Sequence, residues 1–166
     1  MPFGKVINKF PDNAHNGEGC PLAGDETRVV FSTSDVKRTV KPKVLIVDDE
    51  DFFRNLVATG FEREGFAVLQ ADNGEDGIEV AKSELPELIL LDLVMPKLLG
   101  FEVCQILRKD QRFTKTAIII MSAKSYKPDM DKAAELGADD YVVKPFEFSD
   151  LLSVAREQMN KRKKAS

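Results

Sequence analysis

The sequence predicts an α/β protein in which a doubly wound parallel sheet of five strands alternates with five helices. Three observations predict it. Short apolar runs recur as "VLIV", "AVL", "LILL", "AIIIM" and "YVV". They are separated by roughly 20 to 30 residues, the size of a βα unit. The gaps between them carry apolar residues at helical spacing. Strands alternating with helices build a parallel sheet covered on both faces.

The elements follow in order. "VLIV" is an unbroken apolar run of the kind buried on both faces, and it ends in Asp48 and Asp49. Phe53, Leu56, Val57, Gly60 and Phe61 then mark one face of a first helix, at i, i+3, i+4, i+7 and i+8. "AVLQAD" is the least apolar run and is expected at a sheet edge. Ile78, Ala81 and Leu85 mark a second helix. "LILL", Leu88 to Leu91, ends in Asp92, and Val103, Cys104 and Leu107 share a third helical face with Gly100. "AIIIM" ends in Ser122, and Met130, Ala133 and Ala134 mark a fourth helix. "YVV" ends in Lys144, and Phe148, Leu151, Leu152, Ala155 and Met159 form the stripe of the fifth.

Composition sets the boundaries. With 43% hydrophobic and 31% charged residues the chain has a proper core and a solvated surface. A net charge of −4 gives no reason to expect direct nucleic-acid binding. No apolar stretch approaches the roughly 18 residues that suggest a membrane span, and "MPFGKVINKFPDN" has no apolar core of a secretory signal. Residues 1–42, rich in Gly, Pro, Asn, Ser and Thr, read as a flexible N-terminal arm whose "TRVVF" offers one extra edge strand at most. Residues 43–161 form the domain, and 162–166 a basic tail whose cations suit a helix C-terminus. Cys20 lies in the arm and Cys104 on a core helix, so a disulfide between them is not expected, nor is a zinc site from His15 and Cys20. A reduced, cytoplasmic protein is the expectation.

Four of the five predicted strands finish in a polar or charged residue. Open α/β sheets bind ligands outside the C-terminal edge, where strand order reverses. Asp48, Asp49, Asp92, Ser122 and Lys144 are therefore expected to converge there. Carboxylates at close quarters repel each other, and a hard divalent cation relieves that repulsion. Oxygen ligands without His or Cys point to Mg²⁺ rather than zinc. Lys144 supplies a fixed positive charge and Ser122 a donor, an arrangement that fits a phosphoryl group on or beside an aspartate. Chance pairing of carboxylates and a lysine would explain one such residue, but not the ends of four strands.

These residues resemble a known family. From Lys43 to about Lys161 the chain is similar to the receiver domain of bacterial two-component response regulators, of the chemotaxis-receiver kind. The motifs are "VLIVDDE", "LILLDLVMP" followed by Gly100, "IIIMSAK", "GADDYVVKPF" and the closing helix, in that order. The resemblance implies a flavodoxin-like (βα)5 sandwich of strand order 2-1-3-4-5. It implies that Asp92 is the phosphoacceptor, charged by a sensor histidine kinase or a phosphotransfer protein. Asp49 and Asp92 would bind Mg²⁺ directly together with the Val94 backbone carbonyl, and Asp48 would act in the outer shell. Ser122 would hydrogen-bond the phosphoryl group, Lys144 would pair with it, and Tyr141 would be the aromatic switch. The Lys144–Pro145 bond would be cis. Such a protein catalyses its own phosphorylation and dephosphorylation without an external turnover substrate. Its partner, or a second copy of itself, would use the face of the fourth helix, fifth strand and fifth helix.

The chain departs from the family pattern at two positions. Leu99 stands where many members carry an Asp before the loop glycine, which implies a differently capped third helix. Val94 is apolar where many relatives are polar, a position that bears on the hydrolytic water.

Competing functions fit less well. A haloacid-dehalogenase-type phosphatase wants a second Asp two residues after the nucleophile, where Val94 stands. A nucleotide-binding protein would want a Gly-rich loop after the first strand, and "DDEDFF" repels phosphate. The sequence leaves open a stand-alone receiver or one cut from a larger regulator with a DNA-binding or cyclic-dinucleotide output domain.

Overall fold

The computed structural model describes residues 40–165. "TRVVF", His15 and Cys20 lie outside the described residues. The elements run β1 (Lys43–Val47), α1 (Asp51–Arg63), β2 (Ala67–Ala71), α2 (Gly74–Glu84), β3 (Leu88–Asp92) and α3 (Gly100–Lys109). A 3₁₀ turn at Gln111–Phe113 leads to β4 (Ala117–Ser122), α4 (Lys127–Glu135), β5 (Asp140–Val143) and α5 (Phe148–Lys164). The strands form one parallel sheet of order β2-β1-β3-β4-β5. "AVLQAD" supplies edge strand β2, as its polarity predicts, and β5 is the opposite edge.

Strand geometry explains the two cores. Successive side chains point to opposite faces, so Val44 and Ile46 join a cluster with Val57, Phe61, Leu151 and Ala155, under α1 and α5. Leu45 and Val47 join Ala81, Val103, Cys104 and Leu107 on the other face, under α2 and α3. Both faces of β1, β3 and β4 are dry, which is why their sequences run apolar without alternation. α4 covers Ile120 through Ala133, in a smaller cluster with Leu93, Phe101 and Tyr141.

Three stripe assignments need correction. Leu56 is exposed, because α1 turns Val57, Ala58 and Phe61 inward and leaves its apolar arc wider than the sheet can cover. Leu85 does not continue the stripe of α2. It caps the helix in the left-handed conformation (φ 47°, ψ 63°) and is also exposed. Ala134 faces solvent, and Ala133 alone carries the buried contact of α4. At the C-terminus α5 continues to Lys164, so Arg162 of the basic segment is helical. Among the described residues no helix is long and apolar enough to cross a membrane.

Candidate functional site

β1 lies beside β3, with Val47 opposite Leu91. The residue after Val47 and the last residue of β3 are therefore neighbours at the C-terminal edge, and these are Asp48 and Asp92. Asp48 is wholly buried, Asp92 nearly so, and Asp49 exposed. One carboxylate oxygen from each of Asp48, Asp49 and Asp92 lies within 4.8 Å of the others. Oxygen donors of this kind fit a hard divalent cation such as Mg²⁺ and offer no nitrogen or sulfur to a softer metal.

The three carboxylates differ in what they already hold. Asp48 Oδ1 accepts from the Glu50 N–H at 2.9 Å, and Oδ2 accepts from Lys144 Nζ at 2.7 Å. Asp92 Oδ1 accepts from the Leu93 N–H at 2.9 Å and stands 3.6 Å from Lys144 Nζ. Lys144 thus bonds Asp48 and only approaches Asp92. Burial pushes Asp92 up to about 6 from the ordinary 3.8; Lys144 opposes the rise and Asp48 adds to it. A carboxyl of that kind is more basic than a surface aspartate yet ionised near neutral pH.

The remaining residues expected here lie on β4, on β5 and on the loop after β3. Ser122 ends β4, 2% exposed, and its Oγ accepts from the Lys124 N–H at 3.1 Å. Tyr141, half-buried on β5, donates its hydroxyl to the Lys124 carbonyl at 2.9 Å. Val94 is exposed on the loop after β3. The Lys144–Pro145 bond is cis. Gly100 opens α3 against the end of β3: a Cβ there would overlap the Asp92 carbonyl oxygen. The Leu99 side chain has no acceptor, so the cap of α3 is one-sided, with Glu102 Oε2 accepting from the Leu99 N–H at 3.0 Å.

Two residues of the site escaped the sequence. The Phe53 ring lies under Lys144, with Nζ 4.0 Å from its centroid. Arg54 donates to the Asp48 carbonyl at 2.6 Å and to Gln70 Oε1 at 3.2 Å, and also pairs with Asp51. Both sit within α1, where Phe53 looks like a stripe residue and Arg54 like a solvated cation.

The family model of the response regulator receiver domain matches residues 44–156. The chain belongs to the response regulator receiver family. It is a receiver domain of two-component signal transduction. This receiver is 39% identical over 132 residues to the probable transcriptional regulator ycf27 of Guillardia theta, covering 80% of this chain and 51% of that one. It is 43% identical over 104 residues to the alkaline phosphatase synthesis transcriptional regulatory protein PhoP of Bacillus subtilis, covering 63% of this chain and 42% of that one. The chain spans about half the length of the curated relatives it matches. Among solved structures, the Francisella response regulator 1452 receiver domain matches at TM-score 0.68 and 29% identity, covering 73% of this chain and 98% of that one. A CheY-like receiver domain protein from Methanospirillum hungatei JF-1 matches at TM-score 0.72 and 24% identity, covering 76% of this chain and all of that one, and supports the fold alone.

Proposed function

We propose that Asp92 accepts a phosphoryl group from a phosphohistidine of a sensor kinase or phosphotransfer protein. The observation that carries this is one nearly buried carboxylate, raised to about 6, between two further carboxylates and a lysine. An Asp92 oxygen attacks phosphorus, the P–N bond breaks, and the departing imidazole takes up a proton. Asp49, Asp92 and the Val94 carbonyl would hold Mg²⁺, with Asp48 acting through water. A bound Mg²⁺ would supply positive charge to the transferring phosphoryl oxygens. Asp48 suits the outer position because both its oxygens already accept hydrogen bonds, whereas Asp49 is exposed. Lys144 and Ser122 would bind the phosphoryl oxygens once they arrive.

The protein then acts as a switch without an external turnover substrate, in the cytoplasm, where ATP charges such donors. Its output would pass through the face of α4, β5 and α5 to a downstream protein or a second copy. Intact-mass analysis after treatment with acetyl phosphate and Mg²⁺ tests the assignment. Wild type should gain one phosphoryl group and Asp92→Ala none; equal labelling of both would overturn it. In a Mg²⁺ titration Asp49→Ala should lose most of the affinity and Asp48→Ala less.

A second reading concerns what lies beyond the receiver. The matched segment fills only about half of each curated relative, and several of these are named as transcriptional regulators, which favours a larger regulator with a DNA-binding output. Nothing comparable favours a cyclic-dinucleotide output. The full reading frame in the source genome decides this.

A further inference from the structure

We infer that Phe53 is a positioning residue for Lys144, its ring face seating the ammonium between Asp48 and Asp92. The inference rests on the reading of Asp92 as phosphoacceptor and names a residue that reading does not use. Lys144 hangs from the end of β5, the sheet edge, and has to serve residues at the ends of β1 and β3. Four rotatable methylene links give such a side chain many conformers, and holding one of them costs entropy.

Three neighbours hold the ammonium. Asp48 Oδ2 accepts from it at 2.7 Å, while Asp92 Oδ1, at 3.6 Å, is too distant for a hydrogen bond. The Phe53 centroid, at 4.0 Å, lies well within the range at which a ring quadrupole attracts a cation. Only 16% of the lysine side chain is exposed, and loss of water strengthens such a contact. The ring is itself fixed: Phe146, two residues beyond Lys144, meets it edge-on with centroids 5.6 Å apart and planes at 77°. Lys144 and the ring that steadies its seat therefore belong to one segment.

The seat has a consequence for phosphoryl binding. With Asp48 as its only close partner, the ammonium would settle wherever that carboxylate draws it. The ring attracts the charge without a lone pair to satisfy, and so leaves N–H donors available to an incoming phosphoryl oxygen. An aliphatic side chain of similar size would fill the space without attracting the cation. Phe53 as a mere packing residue of α1 predicts no difference between aromatic and aliphatic replacements beyond volume.

The test uses the full chain as wild type, Phe53→Leu and Phe53→Tyr. Ring current should shift the Lys144 ε-methylene protons upfield in wild type and Phe53→Tyr, and Phe53→Leu should return them to the range of free lysines. Beryllofluoride, a tetrahedral phosphoryl mimic, should bind Phe53→Leu about three- to tenfold more weakly in Mg²⁺, with Phe53→Tyr within about twofold of wild type. Equal losses in the Leu and Tyr variants, or none in the Leu variant, would overturn the seat. If Phe53→Leu fails to fold, Phe53→Met takes its place. Failure of wild type to bind beryllofluoride would instead strike at Asp92 as acceptor, and the lysine resonances would still decide where the ammonium sits.

Discussion

Asp92 carries a cost that its own strand imposes. Three buried leucines and one buried isoleucine precede it, and burial opposes ionisation of a carboxylate. Its value of about 6 in the folded protein stands above the ordinary 3.8. Between those two values the folded chain keeps a proton that the unfolded chain has released. Stability from this group is thus full below about pH 4, falls as pH rises toward 6, and levels off above, a loss of at most about 3 kcal/mol. Asn cannot ionise, so Asp92→Asn should be the more stable protein at pH 7.5, by about 1–3 kcal/mol, when no divalent cation is present. The gap should close near pH 4, which urea titrations in EDTA at the two pH values would check. Equal stabilities at pH 7.5 would mean that Lys144 compensates the buried charge in full. Asp48, Asp49, Asp92, Ser122 and Lys144 were legible because each follows an apolar run, and a polar group there needs a reason. Phe53 was not, since its partner Lys144 follows β5 and only the folded sheet brings the two together; Arg54 reaches the Asp48 carbonyl of the preceding loop, but an arginine in the first turns of a helix reads as a solvated cation.

At the scale of elements, the end of the sheet opposite the site is closed by charge. Arg108 of α3 donates to the carbonyls of Gly137 (2.7 Å), Phe113 (2.8 Å) and Thr116 (2.9 Å), and to Asp139 Oδ2 (2.7 Å). That same Oδ2 accepts from the Ile118 N–H, and Oδ1 accepts from Arg162 Nε of α5 at 2.7 Å. One guanidinium therefore satisfies three loop carbonyls and ties α3 to the segment that enters β5. Removing it would leave those carbonyls without this donor and Asp139 with one cation instead of two. Arg108→Leu should cost about 3–5 kcal/mol, the range for breaking a buried ion pair, read as a lower urea midpoint. Arg162→Leu should cost less, because Arg162 is more exposed than Arg108 and donates chiefly to Asp139. Nothing in the spacing of Arg108, Asp139 and Arg162 announces this network; each passes as a surface charge. The helical stripes were legible at their centres and misleading at their margins, where Leu56 overshoots the sheet and Leu85 turns to end its helix.

At the scale of the whole receiver, the question is how an event at Asp92 reaches a surface. The family resemblance implies that Ser122 hydrogen-bonds the phosphoryl group and that Tyr141 is the aromatic switch. The structure gives them a shared partner: the Lys124 N–H donates to Ser122 Oγ, and the Lys124 carbonyl accepts from the Tyr141 hydroxyl. A phosphoryl group on Asp92 would bring acceptor oxygens to which the Ser122 hydroxyl can donate. Turning Ser122 toward them disturbs its bond to Lys124, and with it the loop that leads into α4. The Tyr141 ring already packs beside Leu93, Phe101, Ile120 and Ala133, so a shift of that loop repositions the ring against α4. Under the proposed function this loop and ring would form a two-state element that the phosphoryl group biases, with its readout on the face of α4, β5 and α5. Tyr141→Ala should still accept phosphate on Asp92 yet lose the phosphorylation-dependent change in self-association or partner affinity. Tyr141→Phe keeps the ring and loses only the bond to Lys124, so it separates the two contributions. If the hydroxyl carries the signal, the Phe variant should resemble Ala; if the ring carries it, the Phe variant should resemble wild type. Sedimentation velocity with and without beryllofluoride reads the self-association, and titration with the downstream protein reads the affinity. A full response in Tyr141→Ala would remove this residue from the path and leave Ser122 and the Lys124 loop to carry it alone.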